Sequence, residues 1–173
     1  MENSKEVAWK FNGETEFSPP SWAVGMVYQI SKLDRFGNKV KIYIGKKILQ
    51  TNRKGKISKR EIAATGTRKR VKRVIKDSGW SGYWSSCKEL QIEQKEHPEL
   101  FVREILEWCF SKKNMTFTEM KYQFQFSVLE RDTYNSNING SIFRHDTDRQ
   151  LYEEFLQRKR DTPKKPRTKK QVL

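Results

Sequence analysis

Apolar positions follow two rhythms along the chain, a period of two near its start and a spacing close to helical toward its end. From Val24 to Leu33 (VGMVYQISKL) β-branched and aromatic residues predominate, and from Lys39 to Ile44 (KVKIYI) Val40, Ile42 and Ile44 alternate with Lys39, Lys41 and Tyr43. Separated by Asp34-Arg35-Phe36-Gly37-Asn38, these runs predict an antiparallel hairpin. FVREILEWC, from Phe101 to Cys109, predicts a third strand. Between them lie ISKREIAA and RKRVKRVIK, broken by Gly55 and Gly66, whose spacing predicts one or two short helices. Ser86 with Glu89 forms a capping box ahead of Leu90 and Ile92, predicting a helix over 86–96 that ends before Pro98. Thr116 with Glu119 forms a second box, and Phe117, Met120, Phe124 and Val128 recur at helical spacing, predicting an amphipathic helix over 117–130. Residues 132–140 read as a turn-rich loop, and a last helix runs from Thr147 to Lys159 behind Asp146 as cap.

The order ββ(α)αβαα predicts an α+β fold, a short three-stranded, largely antiparallel sheet flanked by helices. The expected division is an extension over 1–21 whose Trp9, Phe11 and Phe17 pack onto the domain, a domain over 22–145, a helix over 146–160 and a flexible basic tail over 161–173. Of 173 residues only 35% are hydrophobic and 33% are charged, so ten Phe, six Tyr and five Trp must supply much of the buried area. No stretch approaches the ~20 apolar residues needed to span a bilayer, and MENSKEVAWKFNGETEF lacks the basic-then-apolar order of a secretory signal. No membrane partner is therefore expected. Two cysteines, Cys87 and Cys109, make no disulfide framework and fit reduced thiols in a cytoplasm. They and His97 and His145 lack zinc spacing, and the sequons at Asn114 and Asn139 are then chance matches.

Charge changes the picture more than composition does. The net charge is +15, and residues 46–76 hold thirteen basic residues against one acid, Glu61, a balance of +12. Residues 158–170 hold eight against Asp161, a balance of +7, so the rest of the chain sums to −4. Positive charge confined to one internal segment and one tail is what a polyanion-binding surface requires. A solvated or disordered basic run is the alternative for the tail. No phosphate-binding Gly-rich loop, dinucleotide fingerprint or nucleophile elbow is present.

Gly25-Met26-Val27-Tyr28 on the first strand and Tyr43-Ile44-Gly45 on the second resemble the paired signature of the GIY-YIG nucleases. Arg53 lies eight residues after Gly45, where that family carries an arginine, and Glu119 precedes Asn135 by sixteen residues, close to the family's glutamate-to-asparagine interval. Trp84-Ser85-Ser86, Leu90, Ile92 and the strand from Phe101 are similar to the Ser-Ser helix and following strand of phage homing endonucleases. The likeness covers about residues 24–138. One departure is that Tyr83 and Trp84 stand where relatives place a histidine before the Ser-Ser pair.

The resemblance implies a phosphodiesterase site of Tyr28, Tyr43, Arg53, Glu119 and Asn135, with Glu119 holding Mg²⁺ (or Mn²⁺). Such chemistry needs an activated water, a counter-charge at phosphorus and help for the leaving oxygen. Tyr28 is the expected general base, provided that Arg and metal depress a phenol pKa ordinarily near 10. Tyr43 would orient water or phosphate, Arg53 would neutralise the phosphate, and Asn135 would hold nearby backbone. Lys46, Lys47, Lys54, Lys69, Arg70, Lys72 and Arg73 are the expected DNA contacts.

Other readings of the same residues stay open. Glu119 could merely close its capping box, the two tyrosines could be core aromatics, and Asn135 could serve a turn. Another basic residue of 46–76 could take the place of Arg53. Trp80, Tyr83 and Trp84 could stack on bases or pack against the hairpin. The function expected is a metal-dependent endonuclease of double-stranded DNA, phage or mobile-element encoded, acting in a bacterial cytoplasm as monomer or dimer. Only about 35 residues follow Asn135, which favours relaxed specificity, or recognition through the basic insertion and oligomerisation, over a long homing site. The competing function is a non-catalytic DNA- or RNA-binding protein on the same scaffold.

Overall fold

In chain order the elements are β1 (Trp9–Phe11), β2 (Gly25–Leu33), β3 (Lys39–Ile48), β4 (Gln50–Lys56), α1 (Lys59–Thr65), β5 (Val71–Asp77) and α2 (Lys88–Glu96). There follow β6 (Phe101–Cys109), α3 (Lys112–Gln125), β7 (Asn137–Ile138), β8 (Ile142–Phe143), α4 (Arg144–Thr147) and α5 (Arg149–Asp161). They come from a computed structural model that describes residues 7–161. The expected tail beyond Asp161 and the first six residues of the expected extension lie outside the described residues.

The fold is α+β. Strands β2 and β3 form the hairpin, closed by a turn in which Asp34 Oδ1 accepts the Phe36 and Asn38 N–H groups at 2.8 and 2.9 Å. Strand β6 pairs antiparallel with β2, and β1 pairs parallel with β6, giving the order β1-β6-β2-β3. The sheet thus has four strands rather than three. Its fourth strand is three residues from the N-terminal segment, too short for alternation to reveal.

Alternation divides the sheet between two layers. On one face Met26, Tyr28, Ile30, Phe101, Ile105 and Trp108 meet Trp9 and Leu90. On the other, Val27, Ile44 and Cys109 meet Met115, Val128, Leu129 and Ile138. Trp9 stands edge-on to Tyr28 at 5.2 Å, and its indole N–H donates to the carbonyls of Trp80 and Ser81 at 3.1 and 2.9 Å. Trp80, Tyr83 and Trp84 pack against this layer, so packing rather than base stacking accounts for them. Losing such a buried tryptophan to alanine typically costs about 3–5 kcal/mol. A single carboxylate ties three segments together: Glu93 Oε2 of α2 accepts from Lys32 Nζ of β2 at 2.6 Å and from the Tyr134 hydroxyl at 2.7 Å. The Lys32 hydrogen bond is the main reason that the Glu93 carboxyl lies below its usual range.

Four helical expectations are corrected. RKRVKRVIK is mostly strand β5, hydrogen-bonded to β4 in an antiparallel ribbon, while ISKREIAA does form α1 behind Ser58, whose side chain accepts the Glu61 N–H. The spacing of Val71, Val74 and Ile75 imitates a helix, but β-branched residues and a partner strand favour the extended form. Ser86 does not cap α2: the helix starts at Lys88, and the Ser86 hydroxyl lies 3.3 Å from that of Tyr43. Helix α3 starts five residues earlier than expected, capped by Ser111, so Thr116 is no cap. It also turns the opposite face inward, burying Met115, Thr118, Glu119 and Gln123 and exposing Phe117 and Phe124. Asp148 rather than Asp146 caps the last helix, accepting the Leu151 N–H at 3.0 Å.

In the hairpin register Tyr28 lies opposite Gly45. A Cβ on Gly45 would stand 2.6 Å from the Tyr28 hydroxyl and 2.7 Å from Tyr43 Cε1, so only glycine lets both rings lie there. Gly45→Ala is expected to lower the unfolding temperature and to alter near-ultraviolet dichroism from the tyrosines, with far-ultraviolet dichroism retained; an unchanged aromatic spectrum would refute the contact. Glu93→Gln is expected to be less stable than the parent at neutral pH. Because the folded carboxyl titrates below its ordinary value of about 4.3, the stabilisation is present above that pH and disappears as pH falls through the folded value. Thermal unfolding from pH 7 to pH 3 should show the two proteins converging.

Candidate active site

Strand β3 passes the end of α3 as an edge strand, and the segment following that helix closes over it. Tyr134 N–H donates to Ile42 C=O at 2.9 Å, with a parallel bridge between Ile42 and Thr133. One residue on, the Asn135 amide takes both backbone groups of Ile44: its Oδ1 accepts the N–H at 2.9 Å and its Nδ2 donates to the C=O at 2.8 Å. Asn135 therefore completes the edge as a neighbouring strand would. Arg144 holds this segment in turn, donating to the carbonyls of Val128, Arg131 and Asn135 at 3.2, 2.7 and 3.3 Å.

Around that edge lies an open pocket of about 380 Å³, lined among others by Tyr43, Lys46, Ser86, Glu119, Gln123 and Asn135. Tyr43 and Lys46, three residues apart on β3, both line it. Glu119 sits within α3, well past the helix start, so it is not a helix-end lock. Its Oε2 pairs with Lys46 Nζ at 2.7 Å, and the same ammonium donates to Thr116 Oγ1 at 3.1 Å. Gln123, one turn beyond Glu119, donates from Nε2 to Ile44 C=O at 3.4 Å, while its buried Oε1 has no hydrogen-bond partner.

Tyr28, Tyr43, Glu119 and Asn135 are brought together, but with a division of labour. Tyr28 is 1% exposed and does not line the pocket; its ring lies 6.1 Å from that of Tyr43. Burial, reinforced by Tyr43, Tyr83 and the Glu119 carboxylate, pushes its phenol well above the ordinary value. Its hydroxyl is thus buried behind Tyr43 and held in the neutral form, while Tyr43 stands between it and the pocket. Burial also raises Tyr43, against the hydrogen bond to Ser86, but Tyr43 does face the pocket.

Arg53 is not among the lining residues: it lies exposed on β4, paired with Val74 of the ribbon. The cation in the pocket is instead Lys46, expected on the DNA-binding arm. Its neighbour Lys47 sits 3.8 Å over the Tyr83 ring, and burial lowers its pKa. Lys72 pairs with Glu61 of α1 at 2.8 Å, whereas Lys54, Lys69, Arg70 and Arg73 are exposed on or beside the ribbon. Gln123 and Arg144 carry no signal in the sequence, whereas Ser86 belongs to the Ser-Ser pair and Lys46 to the expected DNA contacts.

Chemically, the pocket offers a carboxylate, a phenol and an ammonium at one strand edge, with the Gln123 side chain in its wall. Among the described residues no helix is long and apolar enough to cross a membrane. No curated protein and no solved structure matches the chain. The family described as "Putative endonuclease segE, GIY-YIG domain" matches residues 9–138. The match runs from the first residue of β1 to the end of β7, taking in the whole sheet, the ribbon, α3 and most of the pocket. On that extent the chain belongs to the segE-type GIY-YIG endonuclease family, whose substrates are nucleic acids.

Proposed function

We propose that the protein is a divalent-metal-dependent endonuclease that hydrolyses phosphodiester bonds in duplex DNA, encoded by a phage or mobile element and acting in a bacterial cytoplasm. The observation that carries this reading is the convergence of Glu119, Tyr43 and Lys46 in one pocket on a strand that runs on into the basic ribbon.

The donor set fits a hard cation. Glu119 offers a carboxylate and Gln123 a buried amide oxygen with no hydrogen-bond partner, and residues four apart share a helix face. Among the described residues no group of three His, Cys, Asp or Glu is gathered, so a site of one carboxylate and several waters is the fitting type. Glu119 would hold Mg²⁺ or Mn²⁺, with Gln123 beside it. When bound, such an ion neutralises phosphate charge and makes a water more acidic.

The remaining roles belong to the chain itself. The Lys46 ammonium is paired with Glu119 Oε2, and within the pocket it is the cation that would neutralise the scissile phosphate, the role expected of Arg53. The Tyr43 hydroxyl orients the attacking water, Tyr28 supports the Tyr43 ring, and Asn135 keeps the strand in register. The Lys46–Glu119 pair also favours a second reading, a non-catalytic DNA- or RNA-binding protein whose carboxylate stays closed.

Incubating supercoiled plasmid with Mg²⁺ or EDTA separates the two. Metal-dependent nicking is expected, lost by orders of magnitude in Glu119→Gln while gel-shift binding persists; equal nicking by parent and variant, or equal nicking in EDTA, overturns the metal site. Tyr43→Phe and Lys46→Ala are each expected to slow cleavage about 10²-fold. Tyr28→Phe, which keeps the buried ring, is expected to lose less than either, and a larger loss would return the base role to Tyr28.

A further inference from the structure

The register of the β4–β5 ribbon sorts its side chains into two unlike faces. Residues directly opposite one another in an antiparallel pair share a face. On one face lie Arg53 opposite Val74 and Gly55 opposite Lys72. Toward the tip this face is tied to α1, whose Glu61 accepts both hydrogen bonds from Lys72. On the other face lie, from base to tip, Gln50 opposite Asp77, whose carboxylate accepts the Gly79 N–H, then Asn52 opposite Ile75, Lys54 opposite Arg73 and Lys56 opposite Val71. Nothing among the described residues covers this second face: Ile75 is 65% exposed and Val71 49%. Two β-branched hydrophobes in water, alternating with cations and an amide, are not accounted for by the packing of the ribbon. A purely phosphate-gripping surface would need only the cations.

We propose that this open face enters the major groove of the DNA substrate and reads base edges there, Asn52 with Ile75 at an A·T pair and Arg73 at a guanine. The inference rests on the duplex-DNA reading of the function above. A two-stranded ribbon, with strands about 4.8 Å apart, fits a major groove about 12 Å wide. The deep, narrow major groove of A-form RNA does not admit it. The chemistry matches the groove's code: asparagine pairs with adenine N6 and N7, arginine with guanine O6 and N7, and an apolar side chain covers the thymine methyl. Ile75 and Arg73 are two residues apart, about 6.8 Å along a strand, close to the rise of two base pairs at 3.4 Å each. The ribbon is also tied to the site, since β3 carries Tyr43 and Lys46 and ends at Ile48, with only Leu49 between it and β4. Lys69 and Arg70, beyond α1, lie at the ribbon's tip beside Lys56 and Val71 and are assigned to phosphates.

The test scores binding without cleavage, using the full chain carrying Glu119→Gln, EDTA, and selection from randomised DNA duplexes. A preferred sequence is expected, with an adenine and a guanine two base pairs apart. Asn52→Ala and Arg73→Ala should each relax the preference at one position by about five- to a hundredfold. Replacing thymine by uracil at the Asn52 position should weaken the parent but not Ile75→Ser. Lys69→Ala with Arg70→Ala should weaken all sequences alike and lower the salt slope by about two. Dichroism and unfolding temperature verify that each variant is folded. No recovered preference, an unchanged preference in folded Asn52→Ala and Arg73→Ala, or tighter binding to duplex RNA overturns the inference and leaves plasmid cleavage to judge the nuclease reading. A parent that reads sequence but never cuts overturns the nuclease reading alone.

Discussion

The site depends on how one open strand edge is closed. An outer β-strand presents unpaired N–H and C=O groups that invite another chain. Here the edge of β3 is met by the segment Thr133–Asn135 through one backbone hydrogen bond and one amide side chain that serves both polar groups of Ile44. The same contact fastens the exit of α3 to the strand bearing Tyr43 and Lys46. Glu119, arriving from the helix, and the hairpin residues therefore share a pocket although 73 residues separate Lys46 from Glu119. Arg144 keeps the clasp in shape by gripping carbonyls on both sides of it.

Burial then sets the electrostatics. The Tyr28 and Tyr43 phenols are pushed toward their neutral forms, chiefly by desolvation. Glu119, nearly buried, is matched by Lys46 rather than by a distant guanidinium. The helix that brings it inverts the usual rule, burying Thr118, Glu119 and Gln123 while Phe117 and Phe124 face water. Departures of this kind from local consistency concentrate where function outweighs stability.

The ribbon obeys different physics. It buries little, and a two-stranded hairpin alone is marginal in water, so its order comes from its ladder, the Lys72–Glu61 pair and the anchoring of Ser78 to Ile48 and Leu49. Most of the chain's excess positive charge rides on this segment, clear of the two cores. Charge repulsion within the ribbon is thereby kept from the packed sheet, and the charge is left available to a polyanion.

Local pattern alone made much of this protein legible. The alternation of Val40, Ile42 and Ile44 places Tyr43 and Gly45 on the opposite face to them, and the strand from Phe101 to Cys109 is visible in its own residues, because period two needs no knowledge of the partner. The segregation of charge and the pairing of the two tyrosine triplets are equally local. Three matters are not: which face of α3 turns inward, whether RKRVKRVIK is helix or strand, and whether Arg53 or Lys46 reaches Glu119. Each is settled by a contact distant in sequence, respectively the seating of α3 on Ile44 and Val27, the ladder with β4, and the Asn135 closure of the β3 edge. Spacing of three or four residues is common to an amphipathic helix and to a β-branched strand, so only the partner decides between them.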